Sequence, residues 1–327
     1  MTLNIVSVAD LVKKYKEVEA VKGVSFNVKK GEIFGFLGPN GAGKSTTIKM
    51  LATLVQPTSG RAVLNGFDVS REPDQVRRSI GLVFQDPSLD NHLTAEENLT
   101  FHAMLYDVGG AVLAGRMKEV LSMVELEDRR KAIVGTFSGG MKRRLEIARG
   151  LLHHPAVLFL DEPTVGLDPQ TRNRIWQYIR DLRDREGITI FMTTHYMDEA
   201  ENCDRIAIID YGKIVALEAP AELKRMVGGD VLTVQTADDA ALAGEIEQAY
   251  NTGVTATKDG LQFEVERGAE FIPEFAARFR GRVKSISLHQ PTLDDVFLKL
   301  TGRAIREEAA GAIDQMRANA RMWQRRR

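Results

Sequence analysis

The sequence predicts an α/β chain, with a mainly parallel sheet interrupted by a helical insertion and followed by a smaller α+β domain. Three observations predict it. The continuous apolar run at residues 33–37 and the largely apolar stretches at 80–84, 156–160, 188–192 and 205–209 read as strands covered on both faces, and helical patterns separate most of them. From about residue 89 to 155 the pattern is helical throughout. After Gly228-Gly229 a second, shorter cycle of strands and helices begins.

The 327 residues suit two domains. A hydrophobic content of 43% and a charged content of 27% are ordinary for a globular chain. The net charge of -1 implies neither nucleic acid nor an acidic lipid surface as a partner. The local exception is the end of a charged tail, 303–327, where residues 317–327 carry five Arg and no acid. A solvated end is the simpler account of it, and contact with anionic lipid the alternative. Cys203 is the one cysteine, so no internal disulfide framework exists and a reducing cytosol fits; a buried, inert thiol is expected. The N-terminus lacks a basic-then-apolar signal pattern, and no apolar run approaches the roughly 18 residues of a membrane span. The expectation is a cytosolic protein whose membrane role, if any, is peripheral.

Taken in order, residues 3–8 and 24–28 alternate apolar and polar positions, as half-buried strands do. The run 33–37 leads directly into glycine, and residues 46–54 then show helical spacing. Thr94-x-x-Glu97 has the form of a capping box opening a helix in the insertion. Ser138 precedes two glycines and a helix expected over 141–152, with Pro155 beyond its end. Residues 1–219 then form the first domain, with the insertion at about 89–155, and 220–229 a linker. In the second domain, 230–302, strands are expected at 231–236, 253–257, 261–266 and 283–289, and helices at 238–250, 269–280 and 293–300. That order is the split-βαβ pattern.

The strongest chemical signal is Gly38-Pro39-Asn40-Gly41-Ala42-Gly43-Lys44-Ser45, a complete G-x-x-x-x-G-K-[ST] with a strand before it and a helix after. Its glycines let backbone N–H groups converge on phosphate oxygens, at the positive end of a new helix. Lys44 supplies a point charge for β- and γ-phosphates; Ser45 offers a hydroxyl to Mg²⁺, and Thr46 follows on the same turn. The second signal is the strand 157–160 ending in Asp161-Glu162. Two carboxylates at the C-terminal edge of a sheet lie where ligands of such folds bind. Asp161 would hold Mg²⁺ through water, and Glu162 would orient the attacking water. Gln85 and His195 also follow buried strands, so Gln85 could reach the metal or the water and His195 the γ-phosphate.

Together these residues resemble the nucleotide-binding subunit of ABC transporters over about the first 220 residues. Phe137-Ser138-Gly139-Gly140-Met141 is similar to the family signature, usually written LSGGQ, and Lys142-Arg143-Arg144 begins the basic helix after it. Glu162-Pro163-Thr164 and Gly166-Leu167-Asp168-Pro169 resemble the Walker B end and the D-loop, Thr193-Thr194-His195 the H-switch, and Gln85 the Q-loop. Tyr15 resembles the aromatic that stacks on adenine. The resemblance implies a P-loop (RecA-like) core with an antiparallel β subdomain and the inserted helical subdomain. It implies binding and hydrolysis of ATP with Mg²⁺, and a homodimer closing head-to-tail on ATP. Ser138, Gly139 and Gly140 would then complete the partner's γ-phosphate site. The closing would drive separate transmembrane permease subunits.

Phe137 stands where the family pattern has Leu, and Met141 where it has Gln; neither touches the phosphate contacts, which use Ser138 and backbone. The Ser-Gly-Gly-Met run with Lys-Arg-Arg, and the closing stretch 290–302, resemble the daunorubicin and drug-resistance exporter subfamily. An exporter of drugs or lipophilic compounds is expected, with a soluble ABC ATPase acting on nucleic acid or ribosomes as the alternative. One P-loop and no heptad run argue against the alternative. The C-terminal domain reads as a dimerisation or packing module before it reads as a sensor.

Overall fold

The computed structural model describes residues 3–302 apart from 87, 227, 237–238 and 258–259, so the charged tail 303–327 lies outside the described residues. The chain divides after Glu218 into two compact units.

The first unit opens with a hairpin, β1 (Asn4–Tyr15) and β2 (Val18–Lys29), followed by β3 (Ile33–Leu37) and α1 (Lys44–Leu51). Next come β4 (Ser59–Leu64), β5 (Phe67–Asp68), α2 (Pro73–Ser79) and β6 (Ile80–Val83). The helices α3 (Ala95–Leu105), α4 (Gly110–Met123) and α5 (Gly139–Leu151) occupy the stretch expected to be helical. After them run β7 (Val157–Asp161), α6 (Pro169–Glu186), β8 (Thr189–Thr194), α7 (Met197–Ala200), β9 (Arg205–Asp210) and β10 (Lys213–Glu218). These strands make a six-stranded sheet in the order β10-β9-β3-β8-β7-β6, parallel except for β10. The others make an antiparallel sheet, β2-β1-β4-β5.

A cluster of phenylalanines joins the two sheets. Phe191 of β8 lies 5.3–5.9 Å, ring to ring, from Phe26 of β2, Phe34 and Phe36 of β3, and Phe159 of β7. Burying one such side chain contributes about 1.5–3 kcal/mol, so this knot weighs heavily in the positioning of the strand ends. All residues of β3, β7 and β8 are buried; β3, and β7 up to Asp161, read as apolar runs, while β8 carries three threonines among its apolar residues.

The hairpin strands are longer than the expected 3–8 and 24–28. β1 changes register between Val8 and Leu11, where Asp10 has a φ of 48°, so the buried positions change phase and the alternation stops being legible. α1 starts at Lys44 rather than 46, because Gly43 at φ 108° turns the chain straight into the helix. Thr94 and Glu97 form the expected capping box, and Ser138 caps α5 by accepting a bond from the Met141 N–H (3.3 Å).

The second unit contains α8 (Pro220–Arg225), β11 (Asp230–Thr236), α9 (Asp239–Tyr250), β12 (Thr255–Thr257), β13 (Gly260–Val265), α10 (Gly268–Arg278), β14 (Val283–His289) and α11 (Leu293–Thr301). Its sheet runs β12-β13-β11-β14, wholly antiparallel, which is the split-βαβ topology the sequence predicts. Leu232, Val234, Leu242, Ile246, Leu261, Phe263, Phe275 and Phe279 form its core. The stretch 220–229 is not all linker. Pro220 sits at the first turn of α8, where its missing N–H costs nothing, and Leu223 is fully buried.

Candidate active site

The C-terminal ends of β3, β7 and β8 converge because these strands are neighbours in the parallel sheet. β3 ends in the glycine loop. A Cβ on Gly38 would lie 2.2 Å from the Ile209 carbonyl oxygen, so no side chain fits there. Gly41 and Gly43 take φ values of 82° and 108°, which side-chain-bearing residues rarely adopt. The Ala42 N–H donates to the Pro39 carbonyl (3.2 Å) and closes the loop on itself.

Lys44 is buried at the base of this loop. Its ammonium donates to the carbonyls of Gly38 (2.7 Å) and Pro39 (3.1 Å) and lies 3.2 Å from Glu162 Oε1. Burial pushes the ammonium below its ordinary pKa, opposed by the charges of Glu162 and Asp161. At the end of β7, Asp161 Oδ1 accepts from the Ser45 hydroxyl (3.1 Å) and the Thr193 hydroxyl (2.6 Å). Glu162 is 6% exposed, and His195 Nδ1 stands 3.3 Å from its Oε1. Burial works to raise the Glu162 carboxyl, but the neighbouring His195 and Lys44 outweigh it and hold the group below the usual carboxylate range.

Asn40, Gly41, Gly43, Lys44, Ser45, Thr46, Gln85 and Glu162 line one cavity of about 250 Å³, with Ala20 of β2. The structure therefore brings together the glycine loop, both carboxylates, Gln85 and His195. Tyr15 is not among the described residues lining that cavity; it is exposed near the turn of the same hairpin, with Lys13 Nζ 5.0 Å over its ring. Ser138 and Gly139 are exposed at the N-terminus of α5 and also stand apart from the cavity lining. Gly140 is buried, and a Cβ there would come within 2.4 Å of Thr171 Cγ2.

Several supporting residues escaped the sequence reading. Arg143 of α5, 6% exposed, donates to the carbonyls of Pro163 (2.7 Å) and Asp161 (3.1 Å) and to that of Phe84. It pairs with the fully buried Glu146 (3.2 Å), which accepts from the Ser88 N–H (2.8 Å). One guanidinium thus ties the back of the carboxylate turn to both flanks of Gln85. Its signal lay in the Lys142-Arg143-Arg144 run, which gives no hint of which cation turns inward. Glu199 accepts hydroxyl bonds from Thr194 (2.7 Å) and Thr164, joining β8 to the same turn. Arg143→Met should lower stability by about 3–5 kcal/mol, since it strands Glu146 as a buried charge and leaves three carbonyls without their donor. Denaturant unfolding checks this, and a loss under about 1 kcal/mol would show Arg143 to be incidental.

The donor set suits a hard cation with few protein ligands. Ser45 and Asp161 offer oxygens 3.1 Å apart, and among the described residues no group of three or more His, Cys, Asp or Glu is placed to cage a metal. Mg²⁺ is held in that way, by one or two carboxylates together with substrate phosphates.

A family model described as "ABC transporter" matches residues 21–165, and one described as "ATP-binding protein DrrA1-3-like, C-terminal domain" matches residues 219–301. The daunorubicin/doxorubicin resistance ATP-binding protein DrrA of Streptomyces peucetius is 43% identical over 307 residues, covering 91% of this chain and 92% of that one. The linearmycin resistance ATP-binding protein LnrL of Bacillus subtilis is 40% identical over 307 residues, covering 91% and 98%. Among solved structures, the ATP-binding cassette MJ0796, a post-hydrolysis dimer with ADP and Pi, aligns with a TM-score of 0.60 at 32% identity, covering 65% of this chain and 98% of that one.

Proposed function

The chain belongs to the ATP-binding subunits of ABC transporters, and from that premise we propose that it closes as a homodimer on two MgATP and so drives a separate membrane subunit that exports drugs or lipophilic compounds. That it is an ABC ATPase of the drug-resistance and export type follows from the family and the relatives. The cargo class is carried over from the relatives' printed names, which favour export over the nucleic-acid alternative. One observation carries the chemistry. Lys44, Ser45, Gln85, Asp161, Glu162 and His195 meet at one edge of the sheet although 151 positions separate the first from the last.

In this reading the loop N–H groups of residues 40–45 and the Lys44 ammonium take the β- and γ-phosphates. Phosphate oxygens replace Glu162 as the partner of Lys44, which frees the carboxylate. Ser45, Asp161 and Gln85 hold Mg²⁺, which supplies charge neutralisation on the phosphates when bound. Glu162 orients and deprotonates the attacking water, and His195 steadies Glu162 and reaches the γ-phosphate. Tyr15 stacks on adenine. Gly38 and Ala42 keep the loop's shape, Pro39 its entry, and Thr46 contributes at the start of α1.

Ser138, with the N–H groups of Gly139 and Gly140, completes the site of a second copy, where a helix N-terminus favours the phosphate charge. Closure is relayed to separate membrane subunits. From the family's role, a peripheral position on the cytoplasmic face of the membrane is proposed; among the described residues no helix is long and apolar enough to cross a membrane. Residues 1–219 are proposed as the ATPase domain and 230–302 as an accessory domain.

Pull-down of the tagged chain from native membranes tests the transport role. A polytopic membrane protein in stoichiometric amount is the expected result, and recovery of ribosomes or nucleic-acid proteins alone would sink it. Lys44→Ala should weaken ATP binding about 10- to 150-fold, the worth of a charge-assisted bond of about 1.5–3 kcal/mol. Fluorescent nucleotide titration measures it, and unchanged affinity would remove Lys44 from the phosphate site.

A further inference from the structure

Three consecutive residues, the last two of β8 and the one that follows it, reach the turn 161–164, each by a different route. His195 meets the Glu162 carboxylate at 3.3 Å. Thr194 acts through Glu199, which also holds Thr164. Thr193, fully buried, touches both carboxylate-bearing residues directly. Its hydroxyl donates to Asp161 Oδ1 (2.6 Å) and accepts from the Glu162 N–H (3.0 Å). Thr193 and Asp161 are partners in the parallel register of β7 and β8, which is what places the hydroxyl between one residue's side chain and the next residue's backbone.

Both contacts are demanding. Glu162 has a φ of 47°, in the left-handed region that disfavours a residue with a Cβ. That turn takes Glu162 out of the strand's alternation and brings its carboxylate to Lys44 (3.2 Å) and His195 (3.3 Å). Holding the turn requires an acceptor for its buried N–H, and Thr193 Oγ1 is that acceptor. On Asp161, the Thr193 and Ser45 hydroxyls converge on the same oxygen, Oδ1, which fixes the rotation of the carboxylate. A hydroxyl has one proton, so giving it to Asp161 leaves a lone pair for Glu162. Valine has the same shape and can do neither.

We propose that Thr193 is a positioning residue for ATP hydrolysis, one hydroxyl holding the Asp161 carboxylate and the left-handed Glu162 peptide in a single geometry. The inference rests on the roles given above to Asp161 and Glu162. It makes the spacing between metal carboxylate and base a property of the β7–β8 register rather than of the loop alone.

The full-length chain is compared with Thr193→Val, Thr193→Ser and Glu162→Gln. Thr193→Val should lower kcat about 10²-fold through a misplaced base, while the KM for ATP stays within about threefold. Binding of a fluorescent ATP analogue, titrated with Mg²⁺, should need about fivefold more Mg²⁺ for half-saturation in Thr193→Val. Thr193→Ser restores the hydroxyl and should return both readings to within about threefold of the parent. A Thr193→Val variant with parental kcat, an unchanged Mg²⁺ titration, or a Thr193→Ser variant as slow as Thr193→Val would each overturn the proposal. Should Thr193→Val not fold, Thr193→Cys, which has serine's shape but a larger and poorly hydrogen-bonding thiol, is read against Thr193→Ser in its place. Glu162→Gln separates the two readings. If it hydrolyses ATP at the parental rate, the roles of the site fail whatever Thr193 does; if it is inactive while Thr193→Val is active, the proposal for Thr193 fails alone.

Discussion

Glu162→Gln is expected to bind ATP and to lose turnover by about 10²–10⁴-fold, the range a positioned general base contributes. The change removes one charge and almost no volume. The backbone of residue 162 is anchored to Thr193 through its N–H and not through its side chain, so the turn survives the substitution. Lys44 keeps its bonds to the carbonyls of Gly38 and Pro39, so the phosphate loop retains its shape. What Lys44 loses is the anionic partner 3.2 Å away, and a phosphate then has less to compete with. ATP binding should therefore be equal or tighter. With hydrolysis blocked, the nucleotide that joins two copies is not consumed, and gel filtration with MgATP should show a persistent dimer. Phosphate release measured on the same sample completes the test. Hydrolysis at the parental rate would show that Glu162 is not the base.

The carboxylates and the glycine loop were legible in the sequence because each is a contiguous motif at the end of a buried apolar run. Gln85 and His195 were legible at one remove, as polar residues at the ends of strands that share an edge. Thr193 stood with His195 in the stretch resembling the H-switch, but nothing there assigned it a role of its own. Within an apolar strand a threonine reads as a β-branched residue, and its role arises from register with Asp161, 32 positions away. Arg143 was hidden for a related reason, since only the packing of α5 against the ends of β6 and β7 decides which of three adjacent cations turns inward.

Elsewhere local signals misled. The bulge at Asp10 broke the period of β1, and the stretch 220–229, read as a linker, opens with a helix at Pro220. The split-βαβ unit was legible in full because its strands and helices are short, distinct and separated by turn residues.

Ser138→Arg should separate binding from closing. Ser138 is exposed at the N-terminus of α5 and does not line the cavity formed by the glycine loop of its own chain. ATP affinity of the single chain should therefore be unchanged. The substitution removes a cap, the bond from the Met141 N–H to Ser138 Oγ (3.3 Å), at a cost of about 1 kcal/mol, too little to unfold the domain. A long cation at this position fills the space a second copy's phosphate would enter and keeps the helix N–H groups at a distance. Combined with Glu162→Gln, it should abolish the ATP-dependent dimer that Glu162→Gln alone forms. Ser138→Ala, which loses the cap without adding bulk, gives the size of the purely structural effect in thermal unfolding. If the double variant still dimerises on MgATP, the Ser138 end of α5 does not face the partner's nucleotide, and the head-to-tail arrangement is wrong. If it binds ATP and remains monomeric, the site needs two chains, with Lys44 and Glu162 given by one and Ser138 by the other.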